Sequence, residues 1–514
     1  SEQQVYPKAR HYARRALEYN PRNLTALQLE VLLDRIERER SVANASTTDT
    51  TSISRTSAPS GTAPQTSLDR LQQIDPLNHF AAWERYLLSG READKKAFTD
   101  GIRNSFAAES YLHIADFYYR AGRWRDALTL LAAAPEHPKI LCWQAWLWMC
   151  LQNFNGHNDE VERLLTKIAA TRPSLVFPFR RSEYDLFSWL ADTLPSWQGN
   201  YYLALCKMQD GHRDEALELL NHPKGDPAKI DFYPYFALRA SLQSDSSRAE
   251  SDLLEAFRIA PDDPHTTWLL ADHYTGRNQW AEAQKYLTRR LSVDKSDYTA
   301  GMKLAKVLAA QGAFQQSIAL MRSLDVLPNE GAQEGRNLWR ETNLDYACAL
   351  IGAKQFRKAL DAIAQARLWP ENMGVGKPYD DLVDERVEDF LERYCLLQMH
   401  RNGEAAASRI AARIETPGYK PYRAADLLSA LMLREAGQVE KGDRLMAEWL
   451  HSAPDKKSAR WSDAVYRGDW NAAERIAQEP NEVLNPLPYE ILFDDRDFLL
   501  LMRHQNLLKP ETKP

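Results

Sequence analysis

Thr267-Trp268-Leu269-Leu270-Ala271, followed by Tyr274 and, after a short break, by Trp280 and Ala283, is the middle copy of a pattern that this chain writes three times between Asp231 and Ser323. The copy before it reads Tyr233, Phe236 and Ala237, then Ala249, Leu253, Ala256 and Pro261. The copy after it reads Leu304, Ala305, Gly312, Phe314, Ser317 and Met321. A small residue opens the second half of each copy at positions 249, 283 and 317, so both steps are 34 residues. Apolar residues three and four apart form one face of a helix, and small residues at fixed places let a second helix approach closely. The bulky residues fill the space between the two. One such helix pair buries only part of its apolar surface and needs a neighbour on each side.

That period, with bulky, apolar, small and aromatic residues in the first helix and Ala-x3-bulky in the second, is the tetratricopeptide signature. The expected fold is all-α, a right-handed superhelical solenoid of about a dozen tetratricopeptide-like helix pairs. Working towards the N-terminus, Ala127 and Val161 follow Ala93 at steps of 34. The unit around Ala127 is clean: Tyr111, Ile114, Ala115, Tyr118, Gly122, Trp124, Leu131. The step from Val161 to Ala216 is 55 residues, an excess of 21 near Pro173 to Arg181 that predicts an enlarged loop. Towards the C-terminus the small residues are Ala359, Ala406, Gly442 and Ala473. The steps of 42 and 47 residues up to Ala359 and Ala406 predict enlarged loops at Leu327 to Ala332 and at Trp369 to Asp384.

At the N-terminus, Ala9, Ala13, Ala16 and Pro21 read as a second helix without its first, so residues 1–40 are expected to be truncated first repeats of a longer chain. Residues 41–66 are almost all Ser, Thr, Ala, Pro and Gly and are expected to be a disordered insertion within a repeat, or a glycosylated or interacting segment. Residues 67–480 carry the solenoid, and 481–514 a capping segment and polar tail.

The 514-residue chain is too long for one compact core unless it grows by repetition. Its net charge of −6 is small for this length and argues against a nucleic-acid partner. The richest apolar run, Ile140 to Leu151, is interrupted by Gln144 and falls short of the roughly 18–20 residues that span a bilayer. Five widely spaced cysteines form no CxxC and no zinc-type spacing, and read as buried small hydrophobes. No cofactor, metal or catalytic motif stands out. Gly374-Val375-Gly376-Lys377 lacks the remainder of a phosphate loop, since Pro378 follows the lysine and no strand precedes it. Asp380, Asp381, Asp384 and Glu385 precede a helix, where negative charge complements the helix dipole.

In this fold the first helices line the inner face. The register places Tyr201, Trp268, Met302 and Leu344 on that wall, with Lys306 as a nearly isolated donor. An apolar, aromatic wall is either filled by the winding of the solenoid or covered by a partner. The edge loops offer a second set: Arg180, Lys377, Tyr379 and Asp380.

Four loops carry a closer resemblance: Asp75-Pro76-Leu77-Asn78-His79-Phe80, Phe177-Pro178-Phe179-Arg180, Leu327-Pro328-Asn329-Glu330-Gly331-Ala332, and Ala366 through Trp369-Pro370-Glu371-Asn372-Met373-Gly374-Val375-Gly376-Lys377-Pro378-Tyr379. They resemble a large, poorly characterised microbial family that joins an N-terminal β-rich, carbohydrate-active-like domain of unknown function to a C-terminal tetratricopeptide array. The resemblance covers only the array half. It implies a non-catalytic scaffold that docks a protein partner or the β-rich domain of the same polypeptide. The alternative it implies is an accessory part of a carbohydrate-processing enzyme, whose edge loops reach a glycan.

Overall fold

The computed structural model describes residues 2–47, 66–152, 159–329, 332–480 and 492–509. Among them the regular structure is α-helix and short 3-10 turns, with no strand. The fold is all-α and of the tetratricopeptide type. No helix of the described residues is long and apolar enough to cross a membrane. The chain divides into two compact units, Ser1–Gln243 and Ser244–Pro514.

The first unit holds α1 (Glu2–Tyr19), α2 (Leu24–Thr47), α3 (Ser67–Ile74), α4 (His79–Ser89), α5 (Glu92–Gly101), α6 (Ala107–Arg120) and α7 (Trp124–Leu131). It continues with α8 (Pro138–Leu151), α9 (Asp159–Ala169), α10 (Arg181–Thr193), α11 (Trp197–Gln209), α12 (Arg213–Asn221) and α13 (Tyr233–Leu242). Most successive helices pack on one another, and the first helices α4, α6 and α8 also stack in a row. Local chemistry sets the turns. Asn78 caps α4 by accepting from the Ala81 N–H, and Gly90 ends that helix at φ +66°, where a side chain would be strained.

The Ser/Thr-rich stretch expected at 41–66 begins inside α2, which runs on to Thr47. It ends at Thr66, whose hydroxyl accepts from the Asp69 N–H at 3.1 Å and caps α3. Residues 48–65 lie outside the described residues. The excess at Pro173 to Arg181 is more than a loop. It leads into an additional helix, α10, lodged against α8 and α11. Gly199 permits that contact, since a Cβ there would lie 2.8 Å from the Leu190 carbonyl oxygen. A buried network ties the early helices together: Arg35 pairs with Glu84 and Asp126 at 2.7 Å each, and the Tyr118 hydroxyl donates to Glu84 at 2.6 Å.

The second unit holds α14 (Ser246–Ile259), α15 (Pro264–Gly276), α16 (Trp280–Val293), α17 (Tyr298–Ala310), α18 (Phe314–Ser323), α19 (Glu334–Gly352) and α20 (Phe356–Ala366). It ends with α21 (Arg386–Gln398), α22 (Glu404–Ala412), α23 (Asp426–Glu435), α24 (Val439–Ser452), α25 (Lys457–Arg467), α26 (Trp470–Gln478) and α27 (Leu492–Arg503). The small residues do what the period asked of them. Ala249, Ala283 and Ser317 are all buried, and the Ser317 hydroxyl donates to the Ala305 carbonyl of the facing helix at 2.7 Å. Alternate helices α15, α17, α19, α21, α23 and α25 pack in a continuous row of first helices.

The loop from Trp369 to Asp384 folds back onto the end of α18 and the residues just after it. The Val326 N–H donates to the Asn372 carbonyl at 2.9 Å, and the Asn372 amide donates to the Met321 and Leu324 carbonyls, each at 2.9 Å. Gly335, in the first turn of α19, lies so close to this assembly that a Cβ would collide with the Met373 carbonyl.

The C-terminal region, expected as a cap, returns to the middle of its own unit. Helix α27 buries Phe498, Leu500 and Leu501, and the Phe498 ring meets Trp461 of α25 edge-on at 5.5 Å. Its polar side pairs with α19 through Arg496–Glu341 and Asp497–Arg340 at 2.6 Å each, and Arg503–Asp345 at 3.0 Å.

Candidate functional site

The inner-face residues picked out by register separate into covered and uncovered positions. Tyr201, in the first unit, is buried among Trp197, Phe232 and Tyr235. In the second unit Leu344 is fully buried, in the same apolar cluster as Phe498, Leu500 and Leu501 of α27. Both positions are filled by the chain itself. Trp268 and Met302 are half-buried and Lys306 is exposed. They occupy neighbouring helices, α15 and α17, which Lys303 and Asp272 join by an ion pair. The Trp268 indole N–H is buried without an acceptor among the described residues, and its ring tilts against His265 at 5.0 Å.

Of the edge-loop residues, Arg180 is committed to the first unit's interior. It pairs with Glu109 at 2.8 Å and Glu183 at 2.9 Å, and its guanidinium lies 4.2 Å from the centre of the Phe179 ring. Lys139, fully buried, completes this cluster with Glu183 at 2.8 Å and Glu109 at 2.9 Å. Burial opposes ionisation of Glu183, but the Lys139 ammonium together with the Phe179 and Arg180 backbone N–H groups holds the carboxyl below its ordinary value.

Lys377, Tyr379 and Asp380 belong to the second unit. All three are exposed, Tyr379 to 82%, and Lys377 pairs with Asp380 at 2.6 Å. Their neighbours Gly376 and Pro378 instead line a cavity of about 800 Å³. The sequence singled out exposed residues of this loop, next to positions that line the cavity.

Three interruptions of the repeat build this cavity: the start of α19 with Ala332, Gln333 and Arg336, the loop from Trp369 to Glu385, and the α22–α23 connection from Arg413 to Arg423. Lys456 and Asp497 complete the lining. Arg336, which the sequence did not single out, lies at its floor and is 5% exposed. Its Nε and Nη1 find no hydrogen-bond acceptor among the described residues, and neither does Nδ2 of Asn337 beside it. The guanidinium stands 4.5 Å from the centre of the Trp369 ring. Burial, and then the neighbouring Arg340, push Arg336 down to about 10.

The carboxylates of the lining are engaged elsewhere. Asp384 is held by Arg386 at 2.7 Å, Glu385 by Arg367 at 3.2 Å, and Asp497 by Arg340 at 2.6 Å. Asp384 therefore does more than complement the α21 dipole, because it neutralises an arginine that is 2% exposed. Arg340 also grips Glu388 through two nitrogens, at 2.6 and 2.8 Å. The only sequence signal for Arg336 was the 42-residue step in which it sits.

No protein-family model matches the chain, and no curated protein matches it. Solved structures do. YrrB, described as a tetratricopeptide protein with an unusual peptide-binding site, is 13% identical over 35% of this chain and 90% of its own, at a TM-score of 0.28. Yeast Tom70 is 12% identical over 79% of this chain and 100% of its own, at a TM-score of 0.29. The C-terminal part of a tetratricopeptide protein from Cytophaga hutchinsonii is 13% identical over 52% of this chain and 99% of its own, at a TM-score of 0.29. Likeness at this level says nothing of a shared ligand or partner.

Proposed function

We propose that this chain is a non-catalytic tetratricopeptide scaffold for protein–protein or interdomain interaction, and that it docks a β-rich domain of the same polypeptide. The observation that carries this reading is the half-buried Trp268 on the first-helix face, with an indole N–H that has no acceptor among the described residues. Tryptophans that keep part of their apolar surface exposed are enriched among the residues that anchor interfaces. Met302 at the equivalent place in the next repeat and the exposed Lys306 extend the surface, whereas α27 covers the wall at Leu344.

The test is association of the β-rich domain with this chain, measured by size exclusion and calorimetry, for the parent and for Trp268→Glu. A buried anchor contributes about 2 kcal/mol or more, so the substitution should weaken binding by roughly thirtyfold. Equal affinity, in a variant with an unchanged circular dichroism spectrum, would remove Trp268 from the interface.

A second reading, in which the edge loop of a carbohydrate-processing assembly reaches a glycan, draws on the exposed Tyr379 ring beside the Lys377–Asp380 pair. An exposed aromatic face next to hydrogen-bonding groups suits a sugar. Glycan binding by the chain, lost on Tyr379→Ala, would favour it over the scaffold.

A further inference from the structure

We propose that the cavity in the second unit binds a small polyphosphate anion, with the Arg336 guanidinium at its floor. Arg336 is 95% buried by its 5% exposure, and two of its donors point at no acceptor among the described residues. A buried guanidinium is ordinarily paired, because leaving its donors unmatched forfeits the hydration they had in the unfolded chain. Here the face of Trp369 is what stands against it, and a ring face satisfies the charge while leaving the N–H groups idle.

The choice of ligand follows from a charge count of the lining. Arg413 donates only to neutral oxygens, the Thr416 hydroxyl at 2.9 Å and the Asp381 carbonyl at 2.8 Å. Lys420, Arg423 and Lys456 make no ion pair among the described residues. Asp384, Glu385 and Asp497 are each already taken by an arginine. Five cations therefore face one space with no uncommitted carboxylate among the described residues that line it. A single carboxylate would neutralise one of them. A chain of phosphates carries several charges on adjacent groups and offers the oxygens that an arginine fork matches. The first turn of α19 opens onto the same space and adds its N-terminal dipole. A cavity of about 800 Å³ has the size of a small-molecule site.

The experiment is calorimetric titration of the full chain with tripolyphosphate, ATP, acetate and sulfate, alongside thermal unfolding. The expected result is saturable binding of tripolyphosphate and ATP that raises the melting temperature, with acetate and sulfate failing to compete. Equal affinity for tripolyphosphate and ATP means that the phosphate chain alone is read, and tighter ATP binding means that the cavity also holds the nucleoside. Arg336→Met should weaken binding at least tenfold, yet melt no lower than the parent without ligand, since the guanidinium has no hydrogen bond to lose among the described residues. That pairing of effects separates a ligand-binding arginine from a structural one. The double substitution Arg423→Gln and Lys456→Gln, at the cavity mouth, keeps the idea testable should Arg336→Met fail to fold, and should also weaken binding severalfold. Unchanged affinity in either folded variant, or equal competition by sulfate, overturns the proposal.

Discussion

Replacing Phe498 by alanine should release α27 from the second unit, and the cysteine beneath it reports the release. Phe498 is 4% exposed and meets Trp461 edge-on at 5.5 Å. Burying a phenylalanine contributes about 1.5–3 kcal/mol, and the cavity left behind raises the usual cost of Phe→Ala to about 3–5 kcal/mol. Because α27 docks as a single helix across α19 and α25, most of that cost falls on its own docking rather than on global unfolding. A loss of about 3 kcal/mol increases the open population roughly a hundredfold.

On α19, Glu341, Asp345 and Cys348 follow one another at helical spacing, and the first two pair with Arg496 and Arg503 of α27. Cys348 is 6% exposed, and burial raises its thiol well above the ordinary value. Its alkylation by an iodoacetamide probe therefore requires opening. Peptide mapping by mass spectrometry should show Cys348 modified about a hundred times faster in Phe498→Ala, with fully buried Cys142 of the first unit unchanged. If Cys348 reacts at the parent rate in a folded variant, α27 is not what covers it. If Cys142 accelerates equally, the substitution has destabilised more than one helix.

Asp497 gives α27 a pH dependence. Burial, resisted by Arg340 and reinforced by Glu388, pushes its carboxyl up to about 6. The folded value exceeds the unfolded one of about 3.9, so its contribution to docking is complete below that lower value and fades as pH rises through about 6. Amide exchange in α27, corrected for intrinsic rates, should be slower at pH about 5 than above 7, and Asp497→Asn should abolish the difference. Lys139→Ala leaves Glu183 buried without its ammonium, although Arg180 remains at 2.9 Å. The cost should fall near the lower end of about 3–5 kcal/mol by urea denaturation, and Glu183→Gln in the same chain should recover part of it. Gly199→Ala forces α10 and α11 apart by placing a Cβ against the Leu190 carbonyl oxygen at 2.8 Å. A loss of about 1–3 kcal/mol in thermal unfolding is expected, and a neutral result would deny the close approach.

The helix pairs were legible because their information is local. Thr267 to Ala283 contains the face, the small residue and the break between helices, and Ala249, Ala283 and Ser317 repeat the message at one spacing. Each pair packs mainly on its neighbours, so reading one copy reads the contacts of all. The extra helix α10 was visible only as 21 surplus residues, since length reports an insertion without its conformation.

Sequence alone thus determined the all-α repeat and where its period fails. Tertiary structure decided what happens at the failures. The cavity gathers Arg336, Trp369, Arg413, Lys456 and Asp497, and α27 covers a helix some 150 residues upstream, with Asp497 on Arg340. No periodic spacing links such positions. Their meeting depends on how far the stack turns between α19 and α25, a sum of small packing angles that no single repeat encodes.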